Sequence, residues 1–144
     1  MNRIILASHG GLSAGMKDTV QMILGELPNL YALATLRDET EPITVAARRL
    51  LDGFAAEDAV YIVTDVMGGS VNNEFTLVAQ SRPGMHLVTN MNLPLLIQLL
   101  FAEEGRDTAE VIREICAADD TRVKYVNDLL DASAKEAPGF GDDF

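Results

Sequence analysis

The chain has 144 residues, of which 48% are hydrophobic and 23% charged, with a formal net charge of -11 at pH 7. That is the length and balance of one folded domain rather than of a disordered or fibrous chain. The acidic excess opposes nonspecific attraction to nucleic acid or anionic lipid, both polyanions, and is easier to reconcile with a basic partner protein.

Residues 3–7 read as a short apolar strand, and Ser8-His9-Gly10-Gly11 follows at once. Leu12, Met16, Val20, Ile23 and Leu24 then recur at helical spacing, predicting a helix over 12–25 with Ser13 as N-cap and Gly25 near its end. Pro28 and Asn29 turn the chain into a second strand, 30–36. A polar turn at 38–41 and Pro42 lead into an amphipathic helix whose stripe is Ile43, Ala46, Ala47, Leu50, Leu51 and Phe54. Residues 59–64 are apolar and β-branched without alternation, as in a parallel strand covered on both faces.

That strand ends at Asp65, and Val66-Met67-Gly68-Gly69-Ser70 makes a second glycine-rich turn before a helix over 71–81, stopped by Pro83-Gly84. A fourth strand, 86–89, ends at Asn90-Met91-Asn92. The helix over 93–102 is apolar nearly all round and so needs burial on several sides. It is interrupted by Gln98 and is far shorter than the roughly 20 residues of a membrane span. With no secretory h-region before Ser8, the expectation is a cytoplasmic protein without its own membrane anchor. A further helix over 108–117 offers Ile112, Ile115 and Cys116 as inward residues. Residues 121–126 suit either a last short strand or the start of a helix running to 134, and 135–144 a flexible tail. Cys116 is the only cysteine, which excludes an intrachain disulfide and a cysteine metal cluster; no metal and no cofactor are expected.

Strands alternating with helices predict an α/β fold: a parallel, doubly wound sheet with right-handed crossovers. Ligands bind such sheets beyond the carboxyl ends of the strands, where strand order reverses. In the flavodoxin-like order the first and third strands are neighbours, so His9, Asp65 and both glycine turns meet in one crevice. A phosphohistidine needs a neutral imidazole nitrogen, a partner fixing the tautomer through the other nitrogen, and donors for the phosphoryl oxygens. His9 is the candidate nucleophile and Asp65 its orienting carboxylate. The N–H groups of Gly68, Gly69 and Ser70, with the Ser70 hydroxyl, are the candidate oxygen donors. Taken singly, Asp65 equally suits a helix cap and each glycine pair a plain turn; their convergence carries the reading. Asn72, Asn73 and Asn92 fit either crevice walls or turns and caps, while His86, at the opposite end of the sheet, and Cys116 read as structural.

Residues 4–11 with Ser-His-Gly-Gly, the run Thr64-Asp65-Val66-Met67-Gly68-Gly69-Ser70, and Asn90-Met91-Asn92-Leu93-Pro94-Leu95-Leu96 together resemble the mannose-family enzyme IIA of the bacterial sugar phosphotransferase system. The resemblance spans about residues 3–130. It implies a flavodoxin-like sheet with parallel order 2-1-3-4, residues 1–134 as the EIIA domain, and a fifth antiparallel strand, 121–126, exchanged in a homodimer. It further implies that His9 takes phosphate on Nε2 from HPr and passes it to enzyme IIB, with Asp65 on the other ring nitrogen. The membrane is then met only indirectly, through the IIC/IID permease. The family often has proline and phenylalanine after Gly-Gly-Ser, where this chain has Val71 and Asn72. A separate IIA subunit, with no IIB domain after residue 144, is the expectation.

Two alternatives belong beside this reading. One is the phosphocarrier subunit of a dihydroxyacetone kinase, which tends to carry a single glycine before serine in the second turn, against Gly68-Gly69-Ser70 here. The other is a regulatory module that receives phosphate without passing it on. A receiver domain phosphorylated on Asp65 would need acidic residues after the first strand to hold Mg²⁺, where this chain has Ser8-His9. Hydrolase chemistry is disfavoured because Ser70 lacks the flanking glycines of a nucleophile elbow.

Overall fold

A computed structural model of the chain describes residues 1–38 and 40–136. The strands are β1 (Asn2–His9), β2 (Leu30–Thr35), β3 (Ala59–Thr64) and β4 (Met85–Val88). The helices are α1 (Leu12–Leu24), α2 (Ile43–Asp52), α3 (Ser70–Gln80), α4 (Leu93–Leu100), α5 (Thr108–Ala117) and α6 (Val126–Glu136). The strands form one all-parallel sheet in the order β2-β1-β3-β4. Ala7 lies opposite Leu33 on one side and Thr64 on the other, and His9 lies opposite Thr35.

Successive residues of a strand face opposite sides, so each strand feeds two cores. Ile4, Leu6, Tyr61 and Val63 pack with Val20 of α1, Leu95, Leu96 and Leu99 of α4, and Val111 and Ile115 of α5. Ile5, Ala7, Val60 and Ile62 pack on the other face with Ile43, Ala47 and Leu51 of α2 and Val71, Phe75 and Val78 of α3. Both faces of β1 and β3 are therefore covered, which is why their sequences run apolar without alternation. The same parity places functional groups: Ser8 follows Ile4 and Leu6 toward α1, and His9 follows Ile5 and Ala7 toward α3.

Several local expectations are corrected. Gly11, not Ser13, occupies the N-cap of α1; Ser13 is buried in the first turn, where its N–H donates to Ser8 Oγ at 2.8 Å and its hydroxyl to Leu33 O at 2.7 Å. The cap is thus supplied from the strand end. Cys116 is exposed rather than core, because α5 buries the i, i+4 pair Val111 and Ile115 and the next residue turns about 100° away. Helix α4 stops at Leu100, burying Leu95, Leu96 and Leu99 and leaving Phe101 exposed.

A 3-10 turn covers Asp119–Thr121. Within the described residues of the chain, 122–125 pair with no strand, and Val123 is 96% exposed. None of the described side chains of α6 is buried. Of the tail expected at 135–144, residues 137–144 lie outside the described residues, as does residue 39 in the turn at 38–41. Among the described residues no helix is long and apolar enough to cross a membrane.

At the amino ends of the strands the sheet is fixed by charge. Asp58, buried, accepts from Arg3 Nε at 3.0 Å and Ala55 N–H at 3.1 Å, with the N-terminal ammonium 3.4 Å away. Arg3 also donates to the Tyr31 hydroxyl and lies over the Phe54 ring. The Arg3 hydrogen bond holds the Asp58 carboxyl below its usual range, against the opposing effect of burial, with the Ala55 N–H assisting. A carboxyl depressed in the folded state contributes stability above its unfolded pKa, near 4, and loses it as pH falls toward the folded value. Asp58→Asn is expected to lower Tm at pH 7 by roughly 3–8 °C and to flatten the acid limb of a Tm-against-pH curve; an acid limb as steep as in the unsubstituted protein would contradict this assignment.

Candidate functional site

Both ends of the site are strand ends. Since Ala7 is level with Thr64, the residues just beyond, His9 and Asp65, emerge side by side at the carboxyl edge of the sheet. Asp65 Oδ2 accepts both the His9 main-chain N–H at 2.9 Å and the ring Nδ1 at 2.8 Å, while Oδ1 accepts the Val66 N–H at 3.0 Å. One carboxylate thereby fixes the backbone and the ring of the histidine together. Asp65 does not cap the following helix, whose N-cap is Gly69.

Burial pushes the Asp65 carboxyl up, but the hydrogen bonds from the His9 N–H, the His9 ring and the Val66 N–H outweigh it, and the carboxyl sits below its usual range. The sign follows from the number of partners: a hydrogen bond to a charged group contributes about 1.5–3 kcal/mol, and three converge here. Asp65 is thus ionised at neutral pH and can only accept. Nδ1 must therefore carry the ring proton of the neutral imidazole, leaving Nε2 with its lone pair.

That lone pair faces the second glycine turn. Ser70 Oγ, on the first residue of α3, lies 3.1 Å from His9 Nε2, so the hydroxyl is its donor. Gly68 adopts a left-handed φ of +79°, which favours glycine. At Gly69 a β-carbon would come 3.4 Å from His9 Cε1 and 3.1 Å from Val66 Cγ2, so its bare backbone leaves the imidazole its room. The first-turn N–H groups of α3 lack intrahelical acceptors, and with the helix dipole they favour an anion at this end. The His9 side chain is 47% exposed and that of Asp65 9%, the arrangement of a reactive rim atom on a fixed base. Val66 and Met67 beside it are exposed, as are Leu12 and Leu36.

His9, Asp65, Gly69 and Ser70 are thus brought together, and Gly68 shapes the turn that carries Ser70. Of the three asparagines, Asn92 caps α4 by accepting the Leu95 N–H at 2.9 Å; Asn73 is exposed; and Asn72 accepts from the buried Thr64 hydroxyl at 2.8 Å. His86 packs its ring on Tyr61, centroids 5.9 Å apart. Val71 is buried in the α2–α3 core. Sequence reasoning passed over Thr64 and Thr89, whose hydroxyls lie 2.9 Å apart; the available signal was a polar residue closing each of two adjacent apolar strands. Among the described residues no group of three or more His, Cys, Asp or Glu side chains could hold a metal ion.

Comparison with known proteins points the same way. The family model described as "EIIA-man: PTS system fructose IIA component" matches residues 3–116. The chain is 30% identical over 101 residues to the sorbose-specific EIIA component of a phosphotransferase system from Klebsiella pneumoniae, covering 69% of this chain and 73% of that protein. It is 22% identical over 132 residues to the fructose-specific EIIA component of Bacillus subtilis, covering 91% and 90%. Among solved structures, a Klebsiella pneumoniae protein assigned as a permease of a phosphoenolpyruvate-dependent sugar phosphotransferase system superposes with a TM-score of 0.79 at 34% identity, covering 90% of this chain and 93% of that one.

The Asp65 contact has a direct spectroscopic consequence. In ¹⁵N-resolved spectra neutral His9 is expected as the Nδ1–H tautomer, and Asp65→Ala should fold yet shift the tautomer ratio toward Nε2–H by roughly tenfold or more. An unchanged ratio in that variant would remove Asp65 from its orienting role.

Proposed function

The chain belongs to the EIIA-man family of phosphotransferase-system components, and from that premise we propose that His9 is the residue that carries its phosphoryl group. A phosphocarrier role as the EIIA component of a mannose-family system follows from the family. The observation that carries the assignment to His9 is the ring's orientation: Nδ1 on Asp65 and Nε2 toward the Ser70 hydroxyl at the exposed rim. In the proposed reaction Nε2 attacks the phosphorus of phospho-HPr, and the N–P bond forms as the bond from phosphorus to HPr breaks. The ring keeps its Nδ1 proton and becomes cationic, and the ionised Asp65 stabilises that charge. The Ser70 hydroxyl, released from Nε2, turns to a phosphoryl oxygen, and N–H groups of Gly68, Gly69 and Ser70 hold the others. The same exchange in reverse delivers the group to enzyme IIB, so the sugar never touches this domain.

We assign residues 1–134 to this domain and place it in the cytoplasm, meeting the membrane only through the IIC/IID permease; a rim histidine suits a group that arrives from one protein and leaves to another. The chain supports a homodimer. Val123, Tyr125, Val126, Leu129 and Leu130 are exposed, and among the described residues no strand pairs with the outer edge of β4. Residues 121–126 of one copy would pair antiparallel with that edge of the next, covering both.

Incubation with phosphoenolpyruvate, enzyme I and HPr is expected to label the unsubstituted protein and not His9→Ala, read by intact mass; a label that survives the substitution would sink the assignment. Transfer onward is expected to a cognate IIB and not to a dihydroxyacetone kinase. Sedimentation at micromolar concentration should report a dimer, and a monomer there would rule out the exchanged strand.

A further inference from the structure

Thr64 closes β3 and is fully buried. Burying a hydroxyl is unfavourable unless it is hydrogen-bonded, and this one is bonded twice. Thr64 Oγ1 lies 2.8 Å from Asn72 Oδ1 and 2.9 Å from Thr89 Oγ1. It has one proton and Asn72 Oδ1 can only accept, so that proton goes to Asn72 and Thr89 donates to Thr64. The Thr64 carbonyl in turn accepts the Met91 N–H at 3.1 Å. The strand end is therefore gripped from α3, from the residue following β4 and from the loop after it. Asn72 lies in the first turn of α3, where asparagine has no helix-propensity advantage, and it is not the N-cap, which is Gly69.

The covalent neighbours of these groups are the active ones. Thr64 precedes Asp65 directly, and Asn72 follows Ser70 by two residues. Their hydrogen bond ties together the two ends of the loop that presents Asp65 to Nδ1 and Ser70 to Nε2. That loop contains Gly68 and Gly69, the residue type that loses most conformational freedom on folding, so its geometry has to be imposed from its ends. We propose that Asn72, acting through Thr64 and Thr89, is a positioning residue for the phosphoryl site. It holds Ser70 and the α3 amino end at a fixed offset from Asp65. The proposal rests on the reading of His9 as phosphoryl acceptor, and its test separates the two.

Four variants serve: Thr64→Val, which keeps the shape and removes the hydroxyl; Asn72→Ala; the double variant; and Thr64→Ser, which restores the hydroxyl. Phosphorylation of His9 from phosphoenolpyruvate, enzyme I and HPr is timed, with rates corrected for folded fraction, and the His9 ring ¹⁵N resonances of the unphosphorylated proteins are recorded. Each single loss is expected to slow labelling about tenfold or more and to move the Nε2 resonance. The double variant should be no slower than the worse single, because both break one contact, and Thr64→Ser should stay within about twofold of the unsubstituted rate. Unchanged rates in the single variants, a Thr64→Ser variant as slow as Thr64→Val, or a double variant whose loss is the product of the singles overturns the proposal. Should Thr64→Val fail to fold, Thr64→Ala removes the same hydroxyl bond to Asn72, and should that fail too, Asn72→Ala alone decides by its labelling rate and ring resonances. If the unsubstituted protein takes no label on His9, the phosphocarrier assignment falls by itself. The ring resonances then decide the clamp alone: moved in Asn72→Ala they support it, and unmoved they overturn it.

Discussion

Asp65 Oδ2 takes two hydrogen bonds from one residue, the main-chain N–H and the ring N–H of His9. Most of the chemistry follows from that double acceptance. The backbone bond stops the end of β1 from fraying, so the imidazole hangs from a fixed point, and the ring bond chooses the tautomer. A single side-chain contact would leave rotation about the Cα–Cβ bond as an escape; two contacts from the same residue to the same oxygen do not. Preorganisation of this kind removes the entropy of finding the reactive geometry before the partner arrives. It also explains why a carboxylate that is nearly buried stays ionised: its donors are all supplied by the two strand ends it joins.

The sheet is held differently at its two ends. At the amino ends of the strands, Arg3, Asp58 and the N-terminal ammonium form a charge cluster partly shielded from water, backed by Tyr31 and Phe54. At the carboxyl ends there is no cationic side chain among the hydrogen-bond partners of His9 or Asp65 described above. In the proposed reaction, anion binding there would rest on backbone N–H groups and a helix amino end, whose partial charges stay put whether or not a phosphoryl group is present. For a carrier that must release what it takes, this has a physical advantage over an arginine clamp, since a bidentate guanidinium contact holds a phosphoryl group strongly. With the chain as a whole carrying -11, the field around the site further opposes overly tight retention of an anion.

The strand parity that builds the two cores also distributes the polar residues. Ser8, on the α1 face, caps α1; His9, on the α3 face, meets Ser70; Thr64, on the face of Val60 and Ile62, meets Asn72 of α3. No separate device is needed to sort them, because a strand has only two sides. What lies outside this scheme is the carboxyl-terminal stretch. Val123, Tyr125, Val126, Leu129 and Leu130 are exposed, and among the described residues no side chain of α6 is buried, whereas each of α1 to α5 buries at least two.

The alternation of apolar strands with amphipathic helices, and the polar residues that end β1 and β3, were legible from residue order alone. They depend on local periodicity and turn chemistry, which the chain carries within windows of ten or so residues. From these came the doubly wound sheet and the candidacy of His9, Asp65 and the Gly68-Gly69-Ser70 turn. What residue order could not supply was contact between groups distant along the chain. Whether Ser13 or Ser8 caps α1, whether Cys116 or Val111 faces the core, and which partner the Thr64 hydroxyl finds all turn on a helix's rotation about its axis, or on a strand's register. A shift of one residue there exchanges one face for the other. The sequence by itself therefore determined which residues were available for phosphoryl chemistry and at which edge of a sheet they would emerge. Only the tertiary structure decided that Asp65 holds the main-chain N–H and the ring Nδ1 of His9 and leaves Nε2 facing Ser70, because that depends on ångström-scale offsets between two strands that meet only when the sheet forms.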